Sequence, residues 1–251
     1  MKRRSFNMES VKELLNSDIY KGIFLLIFLI SLIIFNMINK DLAFENAFLY
    51  FISYPLYILF MMMILFIASI YTSKILDTKF NIILRYSNKK EYFRSLLVYV
   101  TVINGILFSF SIMVNLILLL CSYWRSISFT QLDYYHIPYF IYNIFSVFKY
   151  FLVVNFLCLI IVQIRKCFNN IMSAALMVIL LILKLGFVYS TDIIDNISKI
   201  KLFFGYYLYP FQYASFSLEL CASFLQITIL LLFIKFLFSF INKYCKIEIM
   251  E

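Results

Sequence analysis

Side chains able to do chemistry are scarce in this 251-residue chain. A single histidine, His136, cannot build a catalytic triad with the partners present or a multi-histidine metal site. Five cysteines, at 121, 158, 167, 221 and 245, show no CxxC spacing, and their odd number and scatter argue against a disulfide framework. Four glycines stand singly at 22, 105, 186 and 205, so no Gly-rich phosphate loop exists and the chain has no means of its own to hydrolyse ATP. No carboxylate pair falls within an apolar run, so an intramembrane protease or a proton relay lacks its groups. The chain reads as a non-enzyme that needs no metal or cofactor.

What remains are charges in unusual places. Lys149, Lys184 and Lys235 lie inside long apolar runs, where a charge is costly and is by default a functional suspect. Each is close enough to the end of its run to snorkel to the interface, and that is the preferred account of all three. For Lys149 the alternative is a partner: Glu219 or Asp192, both on the same side of the membrane by the topology below. The second unusual place is "RYSNKKEYFRS", Arg85–Ser95, which carries Arg85, Lys89, Lys90 and Arg94 between two apolar runs.

The elements that must position these groups are membrane helices. The chain is 64% hydrophobic and 14% charged, with a mean hydropathy of +0.93, too apolar for a soluble domain of this length. Six runs approach the roughly 20 residues needed to cross a bilayer: Gly22–Ile38, Leu49–Tyr71, Leu96–Cys121, Tyr139–Ile164, Ile171–Tyr189 and Leu218–Ile241. They do not alternate in polarity, which excludes a barrel, and backbone groups in lipid must bond within the segment, so each is a helix. The first run lacks a small-residue cleavage site and is not a signal peptide.

Basic residues set the orientation. Fifteen of the 22 fall before the first run or in the segments after the second, fourth and sixth. Only Lys40, Arg125, Lys199 and Lys201 fall on the opposite side. This bias places both termini in the cytoplasm, and an even number of spans agrees. The net charge of +9 is thus mostly a topology effect, and nucleic acid is not a partner. The chain reads as one all-α membrane domain, 1–251, with the bilayer as its first partner.

Two flanking segments carry pattern. In "ESVKELLNSDIYKG", Ser10 and Glu13 form a capping box, and Val11, Leu14, Leu15 and Ile19 recur on one face. This predicts an amphipathic helix within 1–21, lying on the cytoplasmic membrane surface. Segment 190–217 is aromatic and interrupted by Gly205 and Pro210. It is too broken to span and reads as an external re-entrant or interfacial piece.

The loop 73–95 reads as helix, tight turn, helix. Asn88 with Glu91 makes a second capping box, and a helix starting at Lys89 would run without a breaker into the third span. Two or three basic residues would suffice to anchor the topology. Six, arranged about a capped turn, suggest a surface that something touches.

In layout the chain resembles the permease subunits of bacterial type-2 ABC exporters: six spans, both termini inside, an amphipathic helix before the first span and short external helices between the fifth and sixth. Those proteins carry a cytoplasmic coupling helix between spans two and three, with a pattern near R-x-S-R-K-K-W/F-x-x-S-K. "RYSNKKEYFRSLL" is similar at Arg85, Ser87, Lys89, Lys90, Tyr92 or Phe93, and Ser95, while Asn88 stands where a basic residue is common. The resemblance implies that a separate ABC-type ATPase engages Arg85, Ser87, Asn88, Lys89, Lys90, Glu91, Phe93 and Arg94, and that a second permease subunit completes the path. It implies export of, or immunity to, a hydrophobic or amphipathic peptide. Lys149, Lys184 and Glu219 would then be the intramembrane polar candidates. Two other readings compete: a non-transport assembly or immunity factor, and the substrate-binding subunit of a vitamin uptake transporter. The latter uses a small-residue face on its first span, which "GIFLLIFLISLIIFNM" lacks.

Overall fold

The computed structural model describes residues 8–38, 44–78, 89–123, 132–133, 135–167 and 215–244, with isolated positions at 127, 175 and 179. Among these residues it is all-helical, with seven helices and no strands. They are α1 Met8–Leu15, α2 Asp18–Met37, α3 Phe44–Ser53, α4 Pro55–Thr78, α5 Lys89–Tyr123, α6 Tyr139–Cys167 and α7 Phe216–Tyr244. Five of them, α2, α4, α5, α6 and α7, are long and apolar enough to cross a membrane. The fifth predicted span, Ile171–Tyr189, lies outside the described residues apart from the isolated positions 175 and 179, as does all but the last three positions of segment 190–217.

The second predicted span, Leu49–Tyr71, is not one helix. It breaks between Ser53 and Pro55, because proline lacks the N–H that would bond four residues back and its ring clashes with that carbonyl. Proline is well tolerated at the first helical position, and there it starts α4. The break is satisfied locally. The Ser53 hydroxyl donates to Leu49 O at 2.7 Å, Tyr54 N to Phe51 O at 3.2 Å, and Ile58 N opens the next helix on Tyr54 O at 3.0 Å. The crossing helix therefore begins later than the hydropathy suggests and continues through Lys74 to Thr78.

The N-terminal expectation is also revised. Helix α1 opens at Met8, upstream of Ser10, and ends at Leu15, with a separate helix starting at Asp18. Good helix formers at Met8 and Glu9 extend it past the expected cap. Ile19 belongs to α2 and is exposed, so it does not share a face with Val11 and Leu14. Those two are 1% and 4% exposed: the apolar side of α1 is closed against the protein, with Lys12 and Glu13 turned outward.

Helices α4 and α6 are the most enclosed of the long helices. Aromatic contacts join neighbours, Phe24 to Phe110 between α2 and α5 at 4.9 Å and Phe108 to Phe151 between α5 and α6 at 5.2 Å. Polar bonds join them as well. The Ser69 hydroxyl donates to Asn104 Oδ1 at 3.1 Å, and Asn104 Nδ2 to Asn155 Oδ1 at 3.1 Å, linking α4, α5 and α6. Closer to the start of α4, Tyr57 shares a 2.7 Å hydrogen bond with Ser111 and accepts from Asn115 Nδ2 at 2.9 Å. The Tyr20 hydroxyl donates to Ala68 O and that of Tyr150 to Ile58 O, so α2 and α6 both bond the backbone of α4.

Such bonds between membrane helices are worth about 1 kcal/mol each. Asn104→Leu should therefore lower stability in detergent by about 1–2 kcal/mol, because Asn155 Oδ1 is left unmet. Pairing it with Asn155→Leu should recover part of that loss. A double-mutant cycle on thermal or denaturant unfolding measures the coupling.

Candidate functional site

Two polar centres stand at opposite ends of the bundle. The first is basic, at the end where α4 and α6 stop and α5 starts. Helix α5 opens at Lys89 and runs unbroken for 35 residues. Helical spacing puts Lys90 and Arg94 on one exposed side, and Tyr92, Phe93 and Leu96 on the buried side at 6%, 0% and 1% exposure. Glu91 and Ser95 are half-buried between them. Phe93, expected to take part in an external contact, is turned fully into the bundle. Arg85, Ser87, Asn88 and the side chain of Lys89 lie outside the described residues, as does Lys184.

Two residues counted in the sequence only as topology charges are brought to this base. Arg165 Nη1 donates to Ile70 O at 2.9 Å, tying the end of α6 to α4. Lys166 Nζ donates to the Tyr92 hydroxyl at 3.3 Å and lies 5.6 Å from its ring centroid, tying α6 to α5. The first turn of α5 is thereby linked to the helix beside it before the apolar part of the bundle begins.

The second centre lies at the other end, between α6 and α7. Lys149 Nζ meets Glu219 Oε1 at 2.6 Å, with the two side chains 4% and 1% exposed. The snorkelling account of Lys149 is overturned: ten residues into α6, it turns inward to a carboxylate. The reason is energetic. An ammonium in this position needs a counter-charge or water, and Glu219, one turn into α7, supplies the charge at shorter reach.

The carboxylate is also met by phenols. The Tyr135 hydroxyl donates to Glu219 Oε2 at 2.8 Å, and that of Tyr142 lies 3.0 and 3.1 Å from the two carboxylate oxygens. Phe145 carries the ammonium 5.3 Å from its centroid, and Phe216 packs on Phe145 at 5.3 Å.

Local sequence explains how these groups arrive. The Asp133 carboxylate accepts from Tyr135 N and Ile137 N, both at 2.8 Å, folding the chain tightly before α6. His136 takes a left-handed conformation, φ 58°, within that turn. The turn aims Tyr135 back over the ion pair, while Tyr142 and Lys149 are seven residues, two helical turns, apart on one side of α6. On α7, Ser215 begins the helix, its hydroxyl accepting from Leu218 N at 3.4 Å, and Glu219 falls in the first turn, where the helix dipole favours an anion. Lys235, by contrast, is exposed near the other end of α7, as snorkelling requires.

Sequence reasoning named both members of the ion pair. It missed Tyr135, Tyr142 and the buried amides and hydroxyls of the core. The seven-residue spacing of Tyr142 and Lys149 was a readable signal, but Tyr135 is placed by a turn and left none.

The fold and these two centres define a helical membrane protein of several spans. Comparison of the chain with protein-family models, with curated proteins and with solved structures finds no match in any of the three.

A buried ion pair broken on one side costs about 3–5 kcal/mol, whereas replacing both members by apolar groups is often neutral. Lys149→Met should destabilise the purified protein by about that amount, and Glu219→Leu similarly. The combination Lys149→Met with Glu219→Leu should be markedly less harmful than the sum. A thermal-unfolding cycle in one detergent reads the coupling directly, and a near-zero coupling would show that the pair is not formed.

Proposed function

We propose that the chain is the membrane-spanning permease subunit of an ATP-driven ABC exporter that carries a hydrophobic or amphipathic peptide across a bacterial cytoplasmic membrane. Both termini would be cytoplasmic, with six spans, a separate ATPase docked at the basic end and a second permease subunit beside this one. The observation that carries the reading is the single unbroken helix from Lys89 to Tyr123. Its first turn is basic on the outside and aromatic on the inside, and it runs without interruption through the apolar core. A helix of 35 residues spans about 52 Å, so force applied at its first turn is delivered at its far end.

The bonds of Lys166 to Tyr92 and of Arg165 to Ile70 O support the same mechanism. They make the bases of α4, α5 and α6 move together when one is pushed. Closure of an ATPase dimer on nucleotide would press on Lys90, Arg94 and the preceding turn. The displacement would pass along α5 to the polar core and, through α6, to the Lys149–Glu219 centre. The cargo class follows from the near absence of charge along the helices, which favours an apolar or amphipathic solute over a small ion.

The tagged chain, purified from the membranes of its own host, should bring ATP-hydrolysing activity with it. Arg85→Glu combined with Lys89→Glu should reduce that activity by tenfold or more without reducing the yield of the chain. Absence of ATPase from the wild-type preparation would defeat the permease reading. Undiminished ATPase with the double variant would defeat the assignment of the loop.

A further inference from the structure

The turn before α6 forms a strap across the end of the α6–α7 pair. Its described residues are 132, 133 and 135–138. Leu132 bridges Pro138 in the antiparallel sense. Asp133 N donates to Ile137 O at 2.8 Å and His136 N to Asp133 O at 3.1 Å, beside the two N–H groups that the Asp133 carboxylate accepts. These bonds close within the strap, so its own residues set its shape. Its outer side meets solvent, with Leu132 55% exposed and His136 exposed. Its inner side is the half-buried Tyr135. That ring lies 5.8 Å from Tyr142 on α6 and 6.2 Å from Phe216 on α7, and its hydroxyl donates to Glu219.

Tyr135 thus stands between an exposed strap and a pair whose side chains are 4% and 1% exposed. What it keeps out matters. Water at the pair would raise the local dielectric, weaken the attraction between the two charges severalfold and compete with the phenols for the carboxylate. The pair ties α7 to α6 at this end, so whatever controls water here controls how firmly the two helices are joined. The strap also carries strain. His136 sits at φ 58°, a left-handed conformation that a residue with a Cβ adopts at a cost. Such a conformation persists only where its surroundings hold it. Here the holders are the Asp133 carboxylate within the strap and Tyr135 on the helix ends. Loss of either frees the strained turn to rearrange.

We propose that this strap is a gate over the Lys149–Glu219 centre, with Tyr135 as its bolt and Asp133 as the residue that holds its shape. Closed, it keeps water and water-soluble solutes from the ion pair. Lifted, it admits them and loosens α7 from α6. The gate goes beyond the exporter reading and does not rest on it: its test needs neither ATPase nor cargo.

The probe is a small, permanently charged methanethiosulfonate, and the readout is its rate of reaction with one cysteine of the purified full chain in detergent. Cys121, Cys167, Cys221 and Cys245 are replaced by alanine, and Ser223→Cys is added. Ser223 lies one turn past Glu219 and is 3% exposed. Cys158, 0% exposed in the core, is kept as an internal control. With the strap intact, position 223 should react at least a hundredfold more slowly than a Ser217→Cys reference, which is exposed at the opening of α7. Tyr135→Ala and Asp133→Ala should each raise the rate at 223 by tenfold or more while Cys158 stays unreacted. His136→Gly, which relieves the left-handed turn without touching either holder, should react no faster than the intact strap. The milder Tyr135→Phe, which keeps the ring and loses only the bond to Glu219, should fall between. Fast reaction at 223 with the strap intact, or a rate that none of the Tyr135 and Asp133 variants changes, would overturn the proposal. So would Cys158 reacting in step with 223, since the strap would then hold the bundle together rather than cover the pair, or His136→Gly reacting as fast as Asp133→Ala.

Discussion

The absence of water around the helices governs this structure. A polar group in the apolar part of the bundle has no solvent to return to, so it is either met by the protein or left at a cost. The Lys149–Glu219 pair is the sharpest instance. Two charges 2.6 Å apart, each nearly sealed from the surface, are held with two phenols on the carboxylate and an aromatic ring under the ammonium. Their desolvation is offset only because every one of these partners is in place. Among the described residues α7 packs chiefly along α6, and the pair fixes the register between two faces that apolar side chains alone would let slide.

The same constraint explains the central position of α4. Its backbone carbonyls receive bonds from α2 and α6, through Tyr20, Tyr150 and Arg165, and its Ser69 hydroxyl donates to Asn104 on α5. Apolar contact gives little preference for one helix partner over another in lipid, because lipid tails are as apolar as leucine. Directional bonds therefore carry the specificity, and α4 collects them along its length. Where α4 begins is likewise a matter of bonding: Pro55 cannot donate, so the helix must start there and α3 must end with its carbonyls met by Ser53 and Tyr54.

The polar groups gather at the two ends and in the middle of the bundle. The basic end ties α6 to α4 and to α5 at their bases. The opposite end is closed by an ion pair. Between them, Ser69, Asn104 and Asn155 pair across three helices, and Tyr57, Ser111 and Asn115 across two.

Hydrophobic runs, basic bias and helical period were enough to establish from the sequence that the chain is helical and apolar and to locate most of its long helices. The ends of α2, α6 and α7 fall within a few residues of the runs that predicted them, and α5 opens at Lys89, where the capping pattern placed its start, seven residues before its apolar run. Hydropathy could not place the break at Pro55 inside an apolar run, since Pro55 hardly changes mean hydropathy yet removes a backbone donor. It named Lys149 and Glu219 but assigned the lysine to the interface, because reach along one helix is legible and proximity of two helices 70 residues apart is not. The tertiary structure alone decided that these charges meet, that the Asp133 turn carries Tyr135 to them, and that Phe93 faces inward while Lys90 and Arg94 face out. Sequence sets what each residue can offer; which offer is taken up depends on distances that only packing fixes.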